Sequence, residues 1–174
     1  MRKLFLLIVI FGLTICNLVN AKEEAPIEIS KDWSAFKCYT VTGAIEMLAF
    51  KNGEKLSKVS REKGRLYIQK ANPQTMEMEV SYFAGFPLRA ASQAALTVDK
   101  ANKFVLYSHP DPKNSEEKSY AWSHPNDDKK LLEALKKGNS ATVESTSHTG
   151  KVIKDTFALS GFTSSFNFMN NACK

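Results

Sequence analysis

The chain has 174 residues, 43% of them hydrophobic and 24% charged, with a formal net charge of +6. That length suits one domain able to bury roughly two thirds of its unfolded surface, and no internal repeat or low-complexity segment asks for a second. The lysines are dispersed among acids rather than gathered into a stripe with interleaved aromatics, which argues against a nucleic-acid partner.

Residues 1–21 have the three parts of a secretory signal peptide. Arg2 and Lys3 form a basic start, residues 4–15 an apolar core, and Val19, Asn20 and Ala21 a run that offers small residues for cleavage. The apolar core, about 12 residues, falls short of the about 20 that a membrane-spanning helix needs. Cleavage is expected after Ala21, giving an exported protein that is periplasmic, secreted or associated with the outer membrane. Cys16 follows Ile15, where a lipoprotein signal requires a small residue, so it is expected to leave with the signal. Loss of Arg2 and Lys3 takes the formal charge from +6 to +4. The cysteines that remain, Cys38 and Cys173, are an even pair, which in an exported protein predicts a disulfide. Such a bridge would close most of the mature chain into one loop, worth roughly 5 kcal/mol by chain entropy, with about 2–4 kcal/mol more usual.

Residues 22–32 are polar, broken by Pro26, and read as an N-terminal tether; the domain proper is expected over 33–174. WSAFKCYTV, from Trp33, predicts one strand with Cys38 inside it. Residues 43–64 are ambiguous: AIEMLAF fits a short helix or a strand, and KNGEKLSKVSREKG a polar loop with a turn at Asn52-Gly53. RLYIQKA and TMEMEVSYF read as strands. The alternation of the second puts Met76, Met78, Val80 and Tyr82 on one face and Glu77, Glu79 and Ser81 on the other. QAALTVD and KFVLYS read as two strands around a turn at 100–102, HPDPKNSEEK as a loop, and YAW as a brief strand. A helix over about 126–138 follows, with Asn126 or a nearby residue as cap, Asp127 and Asp128 at its positive end, Lys136 and Lys137 at its negative end, and Leu131, Leu132 and Leu135 as its apolar stripe.

SATVESTSH and KVIKDTFALS read as a hairpin around Thr149-Gly150. In its second strand Ile153, Asp155, Phe157 and Leu159 share one face, which puts a carboxylate where the period demands core. Asp155 is therefore read as a structural buried carboxylate that needs backbone donors or a Lys/Arg partner. A short helix over about 163–172 closes the chain, with Thr163 as cap and Phe162, Phe166, Met169 and Cys173 along the buried side, where a strand bearing Cys38 could meet it. The expected fold is mainly β: a single β-sandwich-like domain of two packed sheets with one mid-chain and one C-terminal helix.

Catalytic chemistry is hard to find. His109 and His124, in YSHP and WSHP, lack the spacing of a helical zinc site. No serine stands in G-x-S-x-G, and there is no dinucleotide fingerprint, phosphate loop or EF-hand. No catalytic residue, metal or cofactor is assigned, and a non-enzymatic protein is expected. Lys129, Lys130, Lys136 and Lys137 are candidate contacts to an anionic membrane or polysaccharide surface, the other expected partner being an envelope or surface protein; oligomeric state is open. One rival is a carrier of a small ligand or lipid in a cavity lined by Met76, Met78, Phe104 and Phe157. Another is a hydrolase whose serine, histidine and carboxylate only the fold would bring together.

In order along the chain, EVSYFAGFPL, FVLYS, YAW, DDKKLLEALKKGN and STSHTGKVIKDTFALSGFTSSFNFMNNAC resemble the invasion-associated locus B family of exported bacterial proteins. The resemblance covers about residues 65–173, with CYTV at Cys38 fitting too, and is most specific from Asp155 through Gly161-Phe162-Thr163 to Ala172-Cys173. It implies a compact β-sandwich-like domain, export across the inner membrane and the Cys38–Cys173 bridge; some members in pathogens are linked to host-cell entry. It implies no catalytic residue. The chain departs from the pattern in a longer loop at 109–118, in Thr149 where a basic residue is expected before Gly150, and across 43–64.

Overall fold

The computed structural model describes residues 24–58, 60–72 and 77–173. The signal peptide, with Arg2, Lys3 and Cys16, lies outside the described residues, as does Met76. Twelve strands and three helices follow in the order β1 Glu28–Ser30, β2 Trp33–Ala35, β3 Tyr39–Gly43, β4 Glu46–Lys51, β5 Glu54–Lys55, β6 Arg65–Asn72, β7 Glu77–Phe83, β8 Gln93–Val98, β9 Asn102–Ser108, α1 Ser115–Ser119, β10 Tyr120–Ser123, α2 Pro125–Lys137, β11 Ser140–Thr146, β12 Val152–Ala158 and α3 Phe162–Ala172.

The domain is mainly β with a mid-chain and a C-terminal helix. Its strands form one antiparallel sheet rather than two, in the order β1-β2-β3-β6-β7-β10-β9-β8-β11-β12-β4-β5. What makes it sandwich-like is curling. β3 and β4 lie far apart in strand order, yet only Ala44 and Ile45 separate them in the chain. The Ala44 N–H donates to the Gly64 carbonyl and the Ile45 N–H to that of Thr156, so the chain steps directly from β6 to β12. The sheet must therefore bend until those strands are neighbours, bringing opposite stretches face to face around one core. Trp33 joins the same closure from β2, its indole N–H donating 3.0 Å to the Ala158 carbonyl of β12.

The core is the set of inward positions that alternation demands: Trp33, Leu66, Ile68, Val80, Tyr82, Leu96, Leu106, Val143 and Phe157, all fully buried. Leu131, Leu132 and Leu135 of α2 and Phe162, Phe166 and Met169 of α3 pack into it.

Several local expectations are corrected. Residues 33–41 form a hairpin, not one strand: the Phe36 N–H bonds the Tyr39 carbonyl, and Cys38 sits in the turn before β3. Glu28–Ser30, read as tether, is a strand paired with β2. In the ambiguous 43–64 stretch the strand reading of AIEMLAF holds, as β4, and the turn at Asn52-Gly53 leads into the short β5, a departure from a plain loop. The loop at 109–118 contains α1, capped by Asn114, whose side chain accepts from the Glu117 N–H. The cap of α2 is His124, not Asn126: its Nδ1 accepts from the Asn126 N–H, and Pro125 takes the first helical position where no donor is needed. The cap of α3 is Gly161 at φ 88, not Thr163. A Cβ at Gly161 would lie 2.0 Å from the Ser30 carbonyl oxygen, so close contact with the β1 hairpin, not side-chain capping, sets where α3 begins.

Candidate functional site

Three groups of residues could carry function, and the fold treats them differently. The first surrounds Asp155, which is fully buried as the period demands. Arg61, also buried, donates to both carboxylate oxygens, and the Tyr82 hydroxyl donates to Oδ2 at 2.7 Å. The guanidinium also donates to the Ala84 carbonyl at 2.8 Å and lies over the Phe86 ring. Burial, then the Asp155 charge, pushes the Tyr82 phenol far above its usual range. A Cβ at Gly64 would meet Asp155 Oδ2 at 2.2 Å, so glycine there lets the backbone close over the ion pair. A fully enclosed, internally paired cluster of this kind holds the inner faces of β7 and β12 together.

The second group is α2. Lys129, Lys130, Lys136 and Lys137 are all exposed, and Lys136 Nζ stands 4.0 Å from the centre of the Phe166 ring. They lie on α2, which packs against β7 and β9.

The third lies on the opposite, outward face, and sequence reasoning missed it. Register places Tyr67 of β6, Ser81 of β7 and Trp122 of β10 in one row across three strands. Tyr120 follows two residues from Trp122 on the same strand, and Tyr39 pairs with Gln69 one row away. Ring centres are 6.3 Å apart for Tyr39 and Tyr67, 6.1 Å for Tyr67 and Tyr120, and 5.9 Å for Tyr120 and Trp122. All four rings are half-buried, so each retains some accessible surface. The period placed Ser81 on the solvent face, and it does point outward, yet it is only 3% exposed because Tyr67 and Trp122 flank it. The small residue becomes the floor of a cleft of about 450 Å³, bordered also by Asn114 and Glu117 of the α1 turn. Glu117 is held there by the Asn114 side-chain amide at 2.9 Å and the Lys113 N–H at 2.6 Å. In the neighbouring row, with Phe83 and Tyr120, Arg65 lies over the Phe83 ring at 5.4 Å. The signal in the sequence was an aromatic at outward positions between core residues: Tyr67 between Leu66 and Ile68, and Tyr120 and Trp122 around Ala121. Only the strand order brings them together.

Cys38 and Cys173 form a disulfide, with Cα atoms 4.8 Å apart. Lys70 of β6 braces it, its backbone N–H donating to the Cys38 carbonyl at 3.0 Å and its ammonium to the Cys173 carbonyl at 2.8 Å. Of the residues expected to line a carrier cavity, the described ones, Met78, Phe104 and Phe157, do not share one. Phe157 is fully buried, its ring edge-on to Tyr82, while Met78 and Phe104 border separate surface depressions on either side of α2. Ser123 and Asp128 hydrogen bond to each other, but the neighbouring His124 directs its Nδ1 to the helix cap. His109 Nδ1 accepts from the Asp111 N–H, and His148 Nδ1 meets the Pro87 carbonyl. Among the described residues no helix is long and apolar enough to cross a membrane.

The family model described as Invasion associated locus B (IalB) protein matches residues 57–170. That span holds Arg61, Asp155 and most of the aromatic cleft, and stops short of both bridged cysteines. No curated protein and no solved structure matches the chain.

Proposed function

The chain belongs to the invasion associated locus B (IalB) family, and from that premise we propose that it is an exported, non-enzymatic interaction protein of the cell envelope that meets its partner through the aromatic cleft. The observation that carries this reading is the outward row of rings around Ser81. Half-exposed tyrosine and tryptophan side chains offer large apolar area with a polar tip and lose little entropy when a partner covers them, which is why such residues dominate the energetics of interfaces. The sequestration of Asp155 and Arg61 in the core, and the use of the histidines in caps and turns, support a role without catalysis. The exposed lysines of α2 offer a separate contact to an anionic surface, on the other side of the sheet.

Export is read from residues 1–21, with cleavage after Ala21, and a periplasmic or outer-surface location follows from it. The intact mass of protein recovered from the envelope tests this: a chain starting at Lys22 that takes up two alkyl groups only after reduction is expected. Retention of Cys16 would overturn it. The contact itself is tested with a photoreactive amino acid at Tyr67 or at Lys129, irradiated in intact cells. Crosslinks at Tyr67 but not at Lys129 are expected, and the reverse would move the contact to α2.

A further inference from the structure

The four rings and the acid beside them select a chemistry. Aromatic faces carry a negative quadrupole and attract cations within about 6 Å, most strongly organic ones that shed water cheaply. Tyr67 and Trp122 stand two strand spacings apart, about 10 Å at the backbone, with only the Ser81 side chain between them. The Tyr120 ring centre lies 6.1 Å from that of Tyr67 and 5.9 Å from that of Trp122, so an organic cation seated beside Tyr120 can meet more than one ring within about 6 Å. Among the described residues Glu117 is the one acid lining the cleft, and no cation lies within ion-pair distance of it. The nearby Lys113 ammonium is paired with Asp111 instead. Arg65 stands in the row of Phe83 and Tyr120, two residues along β6 from Tyr67 and about 7 Å away. An acid among π walls with a guanidinium one row away complements a small zwitterion.

We propose that the cleft over Ser81 binds the phosphocholine group, with its trimethylammonium among Tyr67, Tyr120 and Trp122 beside Glu117 and its phosphate towards Arg65. The inference rests on the reading of this cleft as the contact site and adds the chemistry of what it contacts. A neutral sugar would use the same rings but would gain nothing from the charges of Glu117 and Arg65.

The test is titration of the mature, oxidised chain with choline, phosphocholine and a neutral cello-oligosaccharide, following the Trp122 indole N–H and the tyrosine ring resonances. Phosphocholine is expected to shift Trp122, Tyr67 and Tyr120 saturably and to bind more tightly than choline. Glu117→Gln, which keeps the size and acceptor oxygen of the side chain, should weaken both by about tenfold. Arg65→Ala should weaken phosphocholine and leave choline unchanged, and Ser81→Phe, which fills the slot from its outward position, should abolish both. An unchanged unfolding midpoint in Glu117→Gln and Arg65→Ala keeps these readings independent of folding. Sedimentation with phosphatidylcholine but not phosphatidylglycerol vesicles would identify a lipid head group as the source; binding of free phosphocholine without vesicle binding would identify a soluble one. Binding of the oligosaccharide that survives Glu117→Gln, or no response to choline or phosphocholine, overturns the assignment. If the Tyr67 crosslink persists in cells while phosphocholine fails, only the ligand chemistry falls; if both fail, the cleft is not the contact site.

Discussion

At the scale of single residues, Asp155 shows how a polar group survives in a core. Its two oxygens accept from Arg61 and Tyr82, and no water-facing surface remains. Asp155→Ala would leave a guanidinium buried without its anion, and a loss of about 3–5 kcal/mol in unfolding free energy is expected. Replacing both partners by apolar residues, Arg61→Met with Asp155→Leu, should recover part of that loss, because no lone charge is then buried. Urea unfolding of the three chains tests this, and equal stability of Asp155→Ala and the parent would remove the ion pair from the account. Glu79 poses the opposite case. Burial raises its carboxyl above the usual carboxylate range, the hydrogen bond from Gln69 works against that rise, and the nearby Asp128 charge adds to it. A carboxyl whose folded pKa exceeds its unfolded one binds protons more tightly when folded. It therefore destabilises the folded state most above the folded pKa, and that penalty vanishes as the pH falls through the window towards the unfolded value. Glu79→Gln can still accept from Gln69, so at pH 7 it should melt a degree or two higher, about what a few tenths of a kcal/mol give. The advantage should shrink on acidification in parallel melts at pH 7 and pH 4.

At the scale of elements, α3 depends on contacts beyond its own sequence. Its eleven residues include six that are asparagine, serine or threonine, and it has no side-chain cap. Such a segment is a marginal helix in isolation. It is held by Phe162, Phe166 and Met169 in the core, by Trp33 against Phe162 at 4.7 Å, and by the bridge one residue past its end. Replacing both cysteines by serine is expected to cost about 2–4 kcal/mol. Hydrogen exchange should show the amides of the last turn of α3 and of the Phe36–Tyr39 turn opening first. Uniform loss of protection across the sheet would mean the bridge acts on the whole domain instead. α2 makes the contrast, since Asp127 and Asp128 in its first turn and Lys136 and Lys137 in its last make its ends readable from sequence.

At the scale of the whole molecule, the passage from β3 to β4 decides the shape. Two residues between strands that belong to distant parts of the sheet force it to curl, and the curl divides the surface into a face covered by α2 and an outward face carrying the cleft. Inserting a single glycine after Ala44 should therefore be far more damaging than inserting one after Pro112 in the 109–114 loop. The first shifts β4 by one residue and turns its side chains to the wrong face of β12, whereas a surface loop tolerates an extra residue at little cost. Thermal melts of the two insertions check this, and equal midpoints would show that the closure does not constrain the sheet.

Alternation and helix punctuation are local, and the sequence by itself was sufficient for what they govern: most strands of the second half, α2 and α3, the burial of Asp155 and the outward side of Ser81. Cysteine number and the N-terminal pattern led to the pairing of Cys38 with Cys173, which the structure contains. Strand order is not local, because each β ladder joins segments whose separation in sequence no period records. The fold alone makes Arg61, from the stretch hardest to read, the partner of Asp155. It alone set Tyr67, Ser81 and Trp122 in one row, since three outward side chains become a site only when hydrogen bonding between distant strands fixes their register.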